Sequence, residues 1–295
     1  ELPSVALRDD GAILIVWRGQ NGQSIEQKII DDFAEDTTPI DSDPDANVNL
    51  PISGYQDLAE VTALADGGHL VVWSANSPSY LNPDTSDYGV YAQRYDLAGE
   101  KVGGPTLVNF TTDENQYSPS AAGLSDESYV VVWQSLSQDG SGWGLFAKHF
   151  AADGTQTSGE MQINTITTND QSEATVAALT DGGYVVTWTG YNAVNDTTDI
   201  YARVFQPSGV ALGNEFVVNT TTSGYQYTHG QIAETVTGLA GGRFAVTFTD
   251  QSDADGSTYG VYVRVFEANG TPVNAAQALV NTTTANYQYS GSIGA

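Results

Sequence analysis

Glu173-Ala-Thr-Val-Ala-Ala-Leu179, then Asp181-Gly182-Gly183, then Tyr184-Val-Val-Thr-Trp188 reads as a β-prone run, a tight turn and a second run that is apolar on both faces. A polar stretch with Asn195, Asp196 and Asp199 follows, then Ile200 to Phe205, a Pro207-Ser-Gly209 turn, and Phe216-Val-Val-Asn219. These are four strands joined by hairpins. A single meander of that kind cannot bury both faces, so it needs neighbours.

The neighbours are copies of itself. A Val/Ile-Asn pair or its equivalent is followed seven residues after the Asn by a Gln: Asn49 to Gln56, Asn109 to Gln116, Asn164 to Gln171, Asn219 to Gln226, Asn281 to Gln288. The Asn positions lie 60, 55, 55 and 62 residues apart. An aromatic closing the second run recurs at Trp17, Trp73, Trp133, Trp188 and Phe248, and an aromatic third strand runs Tyr91 to Tyr95, Phe146 to Phe150, Tyr201 to Phe205 and Tyr262 to Phe266, with Ile25 to Ile29 as a diverged first copy. One supersecondary unit is therefore present five times.

Radial packing of four-stranded sheets is the β-propeller solution, and the two-sided apolar second strand fits a sheet held between blades. Repeats of about 57 residues are short for immunoglobulin-like modules and long for solenoid coils. The expected fold is all-β, a β-propeller of five four-stranded antiparallel repeats in one domain over 1–295. The repeats fall at 1–50, 51–110, 111–165, 166–220 and 221–282, and 283–295 form a surplus strand start matching Tyr117 to Gly123. That surplus could close the ring, mark the cut end of a longer array, or pair with a neighbouring molecule's edge.

Nine Lys+Arg against 36 Asp+Glu give a net charge of −27, which argues against nucleic acid or an anionic membrane as partner. Five cations, Lys28, Arg94, Lys148, Arg203 and Arg264, lie in the aromatic strand, where alternation sets them between rings. Cysteine is absent, so stability is left to packing, polar pairing or ions. No apolar run is long enough to span a bilayer and no leader pattern stands at the start, the expectation for a soluble, processed product without membrane insertion.

Acidic loops follow the second strands, with Asp84 and Asp87, Asp139, Asp196 and Asp199, and Asp250, Asp253 and Asp255 as candidate oxygen ligands; a bound Ca²⁺ is the expected cofactor, Asp253 and Asp255 its best donors. The same residues also make ordinary solvated hairpin loops. Tyr88, Trp143 and Tyr259 stand in matching places before Gly, where rings beside carboxylates can hold sugars, and Tyr225, Tyr227, Tyr287 and Tyr289 around the Gln positions raise the same question. The Asn and Gln pairs read as scaffold, because one site would need one copy. The three histidines, His69, His149 and His229, occupy non-equivalent places with no metal spacing, and neither a nucleophile elbow nor a phosphate loop occurs.

At the level of L-x-D-G-G-x-V-V-x-W, an acidic loop, Y-A-x-R-F and V-N-x6-Q, the chain resembles the tandem blade-type repeats of large secreted bacterial proteins of the RTX-adhesin type, over nearly its whole length. The resemblance implies an extracellular or cell-surface bacterial setting rich in calcium and a role in binding or scaffolding. The Gly-Gly-x-Gly-x-Asp nonapeptide of RTX proteins is missing. The expectation is therefore a non-catalytic module that binds a glycan or another surface protein. Two alternatives stand beside it: a self-assembling structural protein that exchanges its C-terminal strand, and a propeller hydrolase or lyase on polysaccharide with no catalytic residue yet assigned.

Overall fold

The computed structural model describes residues 3–19, 22–30, 46–49, 54–76, 88–230, 234–252, 256, 259–283, 286–289 and 291–294. They form the all-β, five-blade propeller expected from the repeats, with no α-helix among the described residues. The first sheet contains β1 (Ser4–Leu7), β2 (Ile13–Arg18), β3 (Ile25–Ile30) and β4 (Ala46–Asn47). The second contains β5 (Tyr55–Ala63), β6 (His69–Asn76), β7 (Gly89–Tyr95) and β8 (Lys101–Leu107). The third contains β9 (Gln116–Gly123), β10 (Tyr129–Leu136), β11 (Trp143–Phe150) and β12 (Met161–Gln162). The fourth contains β13 (Gln171–Ala178), β14 (Tyr184–Asn192), β15 (Thr197–Phe205) and β16 (Phe216–Val217). The fifth contains β17 (Gln226–Tyr227), β18 (Val236–Gly238), β19 (Phe244–Asp250), β20 (Gly260–Phe266) and β21 (Ala278–Leu279). Each sheet keeps the strands in chain order.

The chain divides into two compact units, residues 1–131 with 148–160 and residues 132–147 with 161–295, so the division runs through the third repeat. Each has its own core. In the first, Leu14, Val16, Ile25, Val61, Val71, Trp73 and Tyr91 cluster; in the second, Val185, Ile200, Val204, Val236, Phe244, Phe248 and Phe266 do so. The second strands of the last four sheets are buried along both faces, while β2 alternates: every residue of β19 is buried, and Trp73, Trp133, Trp188 and Phe248 are at most 1% exposed. Trp17 of the diverged first copy is only half-buried and donates its indole N–H to Glu26 at 3.0 Å.

The Asn and Gln beat is a joint. In all five copies the Asn Oδ1 accepts the N–H of a residue in or beside the third strand: Ile25 from Asn49, Val90 from Asn109, Leu145 from Asn164, Ile200 from Asn219 and Val261 from Asn281, at 2.7–2.8 Å. The Asn amide of three copies reaches the Gln Oε1 seven residues on, at 3.2–3.5 Å. Between them the backbone passes through the left-handed region two residues before each Gln, at Gly54, Glu114, Asn169, Gly224 and Asn286. Glycine at Gly54 and Gly224 takes that conformation without the steric cost of a side chain.

The strand cations have a second partner besides rings. Arg203 donates to Ile163 O at 2.7 Å, Arg264 to Val218 O at 2.6 Å, and Lys148 to Val108 O, in each case the carbonyl just before the repeated Asn of the preceding copy. Lys148 also lies 3.2 Å over the Phe110 ring, and Arg264 5.3 Å from Phe266. Charge-assisted bonds across the repeats thus lock the Asn turns.

The surplus tail lies on the fifth repeat as the starts of the second and third copies lie on the repeats before them. Gln288 N donates to Tyr259 O at 3.3 Å, matching Gln56 N to Gly22 O and Gln116 N to Tyr88 O at 2.8 Å. Gly291 O accepts from Thr247 Oγ1 and Ile293 N donates to Glu234 O, both at 3.0 Å.

Candidate functional site

Gln to core aromatic is 17 residues in three copies, Gln56 to Trp73, Gln116 to Trp133 and Gln171 to Trp188, but 22 from Gln226 to Phe248. The fifth repeat therefore carries extra chain in its first strand, which is split into β17 and β18, both paired with β19. In β13 of the fourth repeat, register shifts between Ser172 and Thr175, and Glu173 adopts φ 59°. The same bulge follows the repeated Gln at Leu58 and Ser118, so it belongs to the repeat, and what differs here is the carboxylate it presents.

The inserted chain packs on this bulge. His229 N donates to Glu173 Oε2 at 3.1 Å, Thr228 Oγ1 to Glu173 O at 3.0 Å, and a Cβ on Gly230 would stand 2.2 Å from Glu173 O. Only glycine admits that approach. Thr189 Oγ1 adds a further bond to Glu173 Oε2 at 3.2 Å and meets Thr228 Oγ1 at 3.0 Å. Deeper in, Thr175 bonds Thr187 at 3.0 Å and Thr235 at 2.8 Å.

A cavity of about 390 Å³ opens here, lined by Asp170, Ser172, Glu173, Thr189, Tyr191 and Tyr227 with Gly142, Asn169 and Thr198. That is the size of a small-ligand site, and its polar groups are carboxylates, hydroxyls and an amide. Asp170 is exposed and accepts the Trp143 N–H at 3.0 Å. Tyr191 donates to Asp196 at 2.8 Å, and this bond raises its phenol pKa. Glu234, on the same insertion, has an exposed side chain, yet the protein around it strips enough hydration to raise its carboxyl pKa. Burial lowers the imidazole pKa of His229, whose Nε2 has no hydrogen-bond partner among the described residues.

Of the ligand candidates, Trp143 borders the cavity through its backbone, Tyr259 stacks edge-on with Tyr287 at 5.1 Å, and Tyr88 does the same with Tyr117 at 5.1 Å in the other unit. The described metal candidates, Asp139, Asp196, Asp199 and Asp250, do not come together. Asp139 accepts from Asn164 at 2.9 Å, Asp199 from Asn219 at 2.7 Å, and Asp250 from Gln226 at 3.1 Å and Gln277 at 2.7 Å, so these three serve the joint, while Asp196 holds Tyr191. Asp84, Asp87, Asp253 and Asp255 lie outside the described residues. Among the described residues no three acids or histidines group as cation ligands. Asp170, Glu173, His229 and Glu234 were not singled out from sequence; the 17-to-22 change in spacing is the signal that would have found the insertion.

No protein-family model matches the chain, and no curated protein matches it. Solved propellers do. An α-L-arabinofuranosidase of Fusarium graminearum, solved with arabinobiose, aligns at 12% identity over 99% of this chain and 83% of its own, with a TM-score of 0.59. An α-L-arabinofuranosidase from Lactobacillus brevis aligns at 12% over 95% of both chains with a TM-score of 0.50, and the Hadza microbial sialidase Hz136 at 10% over 96% of this chain and 59% of its own with a TM-score of 0.55. At such identity the likeness establishes the fold, that of a five-bladed propeller. The neighbours are glycoside hydrolases, not adhesins, and on that finding the expectation of a non-catalytic, calcium-rich adhesin-type scaffold that is no enzyme is corrected. The resemblance to RTX-adhesin repeats extends to the blade architecture and no further.

Proposed function

We propose that this chain is a propeller glycoside hydrolase acting on polysaccharide outside the cell, with its site in the cavity at the start of β13. The observation that carries the reading is the convergence there of two carboxylates, Asp170 and Glu173, with Tyr191, Tyr227 and a ring of hydroxyls. Glycoside cleavage needs one ionised carboxylate and one carboxyl that still holds a proton. Glu173, its Oε2 fixed by a hydroxyl and a backbone N–H, is the carboxylate set for that first role. Glu234 lies outside the cavity lining, and its raised pKa makes it the carboxyl to test first as proton donor. Asp170, pinned by the Trp143 N–H, orients sugar hydroxyls from the cavity wall.

The proteins it resembles support arabinose-containing glycans as the first substrates to try, since one of them was solved with arabinobiose. The test is release of reducing ends from arabinan and related polysaccharides by the native chain and by Glu173→Gln. Activity on one glycan that Glu173→Gln removes, with melting unchanged, is the expected result; activity untouched by the substitution would move the chemistry elsewhere. Ca²⁺ binding by the loop of Asp250, Asp253 and Asp255 is a separate proposal, tested by calorimetry with Ca²⁺ and with a chelator.

A further inference from the structure

Tyr225, Tyr227 and His229 alternate along one strand face, and their rings follow one another at 6.1 Å and 5.6 Å, after which Tyr289 of the tail stands 6.4 Å beyond His229. The first pair is nearly parallel, with 11° between the planes. The ends of the row are open, Tyr225 at 44% and Tyr289 at 65% exposure. Tyr227 is also a wall of the cavity that holds Asp170 and Glu173, so the row runs out of the cavity and onto the tail. Exposed rings also stand at Tyr55, Phe110 and Tyr287, and what sets this row apart is that it leads through Tyr227 into the cavity.

We infer that this row is a binding platform for an extended, uncharged oligosaccharide, which lays successive sugar faces on Tyr227, His229 and Tyr289 while one end enters the cavity. This rests on the hydrolase reading for the location of the cavity and adds the substrate class, a neutral chain. Charge selects it. The cavity wall bears Asp170 and Glu173, Glu234 lies on the same insertion as His229, and the unit's three arginines are committed elsewhere: Arg203 and Arg264 to the Ile163 and Val218 carbonyls, Arg243 to Glu267 at 3.3 Å. With the described cations of this unit engaged elsewhere, uronate or sialylated chains are repelled by the acids. Hydroxyl and amide groups of Ser172, Thr189, Thr198 and Asn169 suit sugar hydroxyls better than a cationic peptide, which acids and rings alone would also attract.

The experiment measures binding, not turnover, using the full chain with Glu173→Gln. Arabino-, xylo- and manno-oligosaccharides of increasing length are titrated by calorimetry, with oligogalacturonides and oligolysine as comparators. Affinity for one neutral series rises with length and then levels off. Tyr289→Ala, at an exposed position that leaves the fold intact, weakens the longer oligomers about five- to tenfold and leaves the disaccharide unchanged; Tyr225→Ala weakens them similarly. Affinity independent of length, equal binding of oligogalacturonide, preference for oligolysine, or no binding of any neutral series would each overturn the inference. Length-dependent binding without hydrolysis by the native chain would overturn the hydrolase reading and leave the platform standing.

Discussion

The backbone N–H of His229 donates to Oε2 of Glu173 across 3.1 Å, so an insertion present only in the fifth repeat holds a strained carboxylate on the fourth. Five copies of one unit supply the scaffold, and the departure from the copy packs beside the candidate site. Function on repeat proteins concentrates where one repeat breaks the pattern, because the pattern itself is spent on packing.

Deleting His229 to Ala233 restores the 17-residue spacing between Gln226 and the core aromatic that the other three copies show. The fifth sheet should then form an unbroken first strand like β13. Melting is expected to stay within about 5 °C of the native chain, while glycan cleavage disappears. Retained cleavage in the shortened chain would separate the insertion from the chemistry.

On the proposed hydrolase reading, the raised carboxyl of Glu234 is expected to set the alkaline limb of activity. A proton donor is competent below its pKa, so kcat/KM should fall as pH rises through a value above the ordinary carboxylate range. In Glu234→Gln that limb is lost along with most of the rate. A limb that stays in place in the residual activity would assign the proton to another group.

His69 is 1% exposed, stacked on Tyr95 at 4.5 Å with Nε2 3.1 Å from Gln27 Oε1, and burial, aided by the Arg8 charge, lowers its pKa to about 4. The folded chain therefore binds this proton more weakly than the unfolded chain, whose imidazole titrates near 6.5. Its neutral form contributes full stability above 6.5, and that contribution drains away as pH falls from 6.5 to 4, by on the order of 2–3 kcal/mol. Urea unfolding of His69→Phe at pH 7 and at pH 4.5 should show a smaller acid loss than the native chain; identical losses would contradict the assignment.

Asn219 is 4% exposed, accepts the Ile200 N–H at 2.7 Å, and donates to Asp199 and to Thr221 O at 2.7 and 2.8 Å. Asn219→Ala strands a strand N–H and leaves the buried Asp199 carboxylate with the Asn192 amide but without that of Asn219, and costs about 2–4 kcal/mol. Asn281, whose bonds are more open to solvent, should cost about 1 kcal/mol on the same change. Equal costs in urea unfolding would argue against the joint being set by burial.

Much of the architecture was legible before any coordinates. Hairpin turns at Asp66-Gly67-Gly68 and Asp181-Gly182-Gly183, the two-sided apolar runs ending in Trp73 and Trp188, and the fixed Asn-to-Gln offset are local features, and β-meanders are assembled from local contacts. The candidate site was read less well. The acids of the loops, Asp139, Asp199 and Asp250, looked like cation ligands because loop composition is the same for a hairpin, a metal site and a polar anchor; their partners proved to be the repeated amides. Tyr225, Tyr227 and Tyr289 were visible as doubtful aromatics, but nothing in their spacing told that His229 joins them into one row.

The sequence by itself determined the blade: its four strands, its turns, its phase and its number, since each depends on residues near one another in the chain. Only the tertiary structure decided that Glu173 and His229, 56 residues apart, share a hydrogen bond, and that the cavity opens beside them. Periodicity states which residues are equivalent. Which ones touch across repeats depends on packing and on the side chain that stands at the bulge following the repeated Gln, Leu58, Ser118 or Glu173.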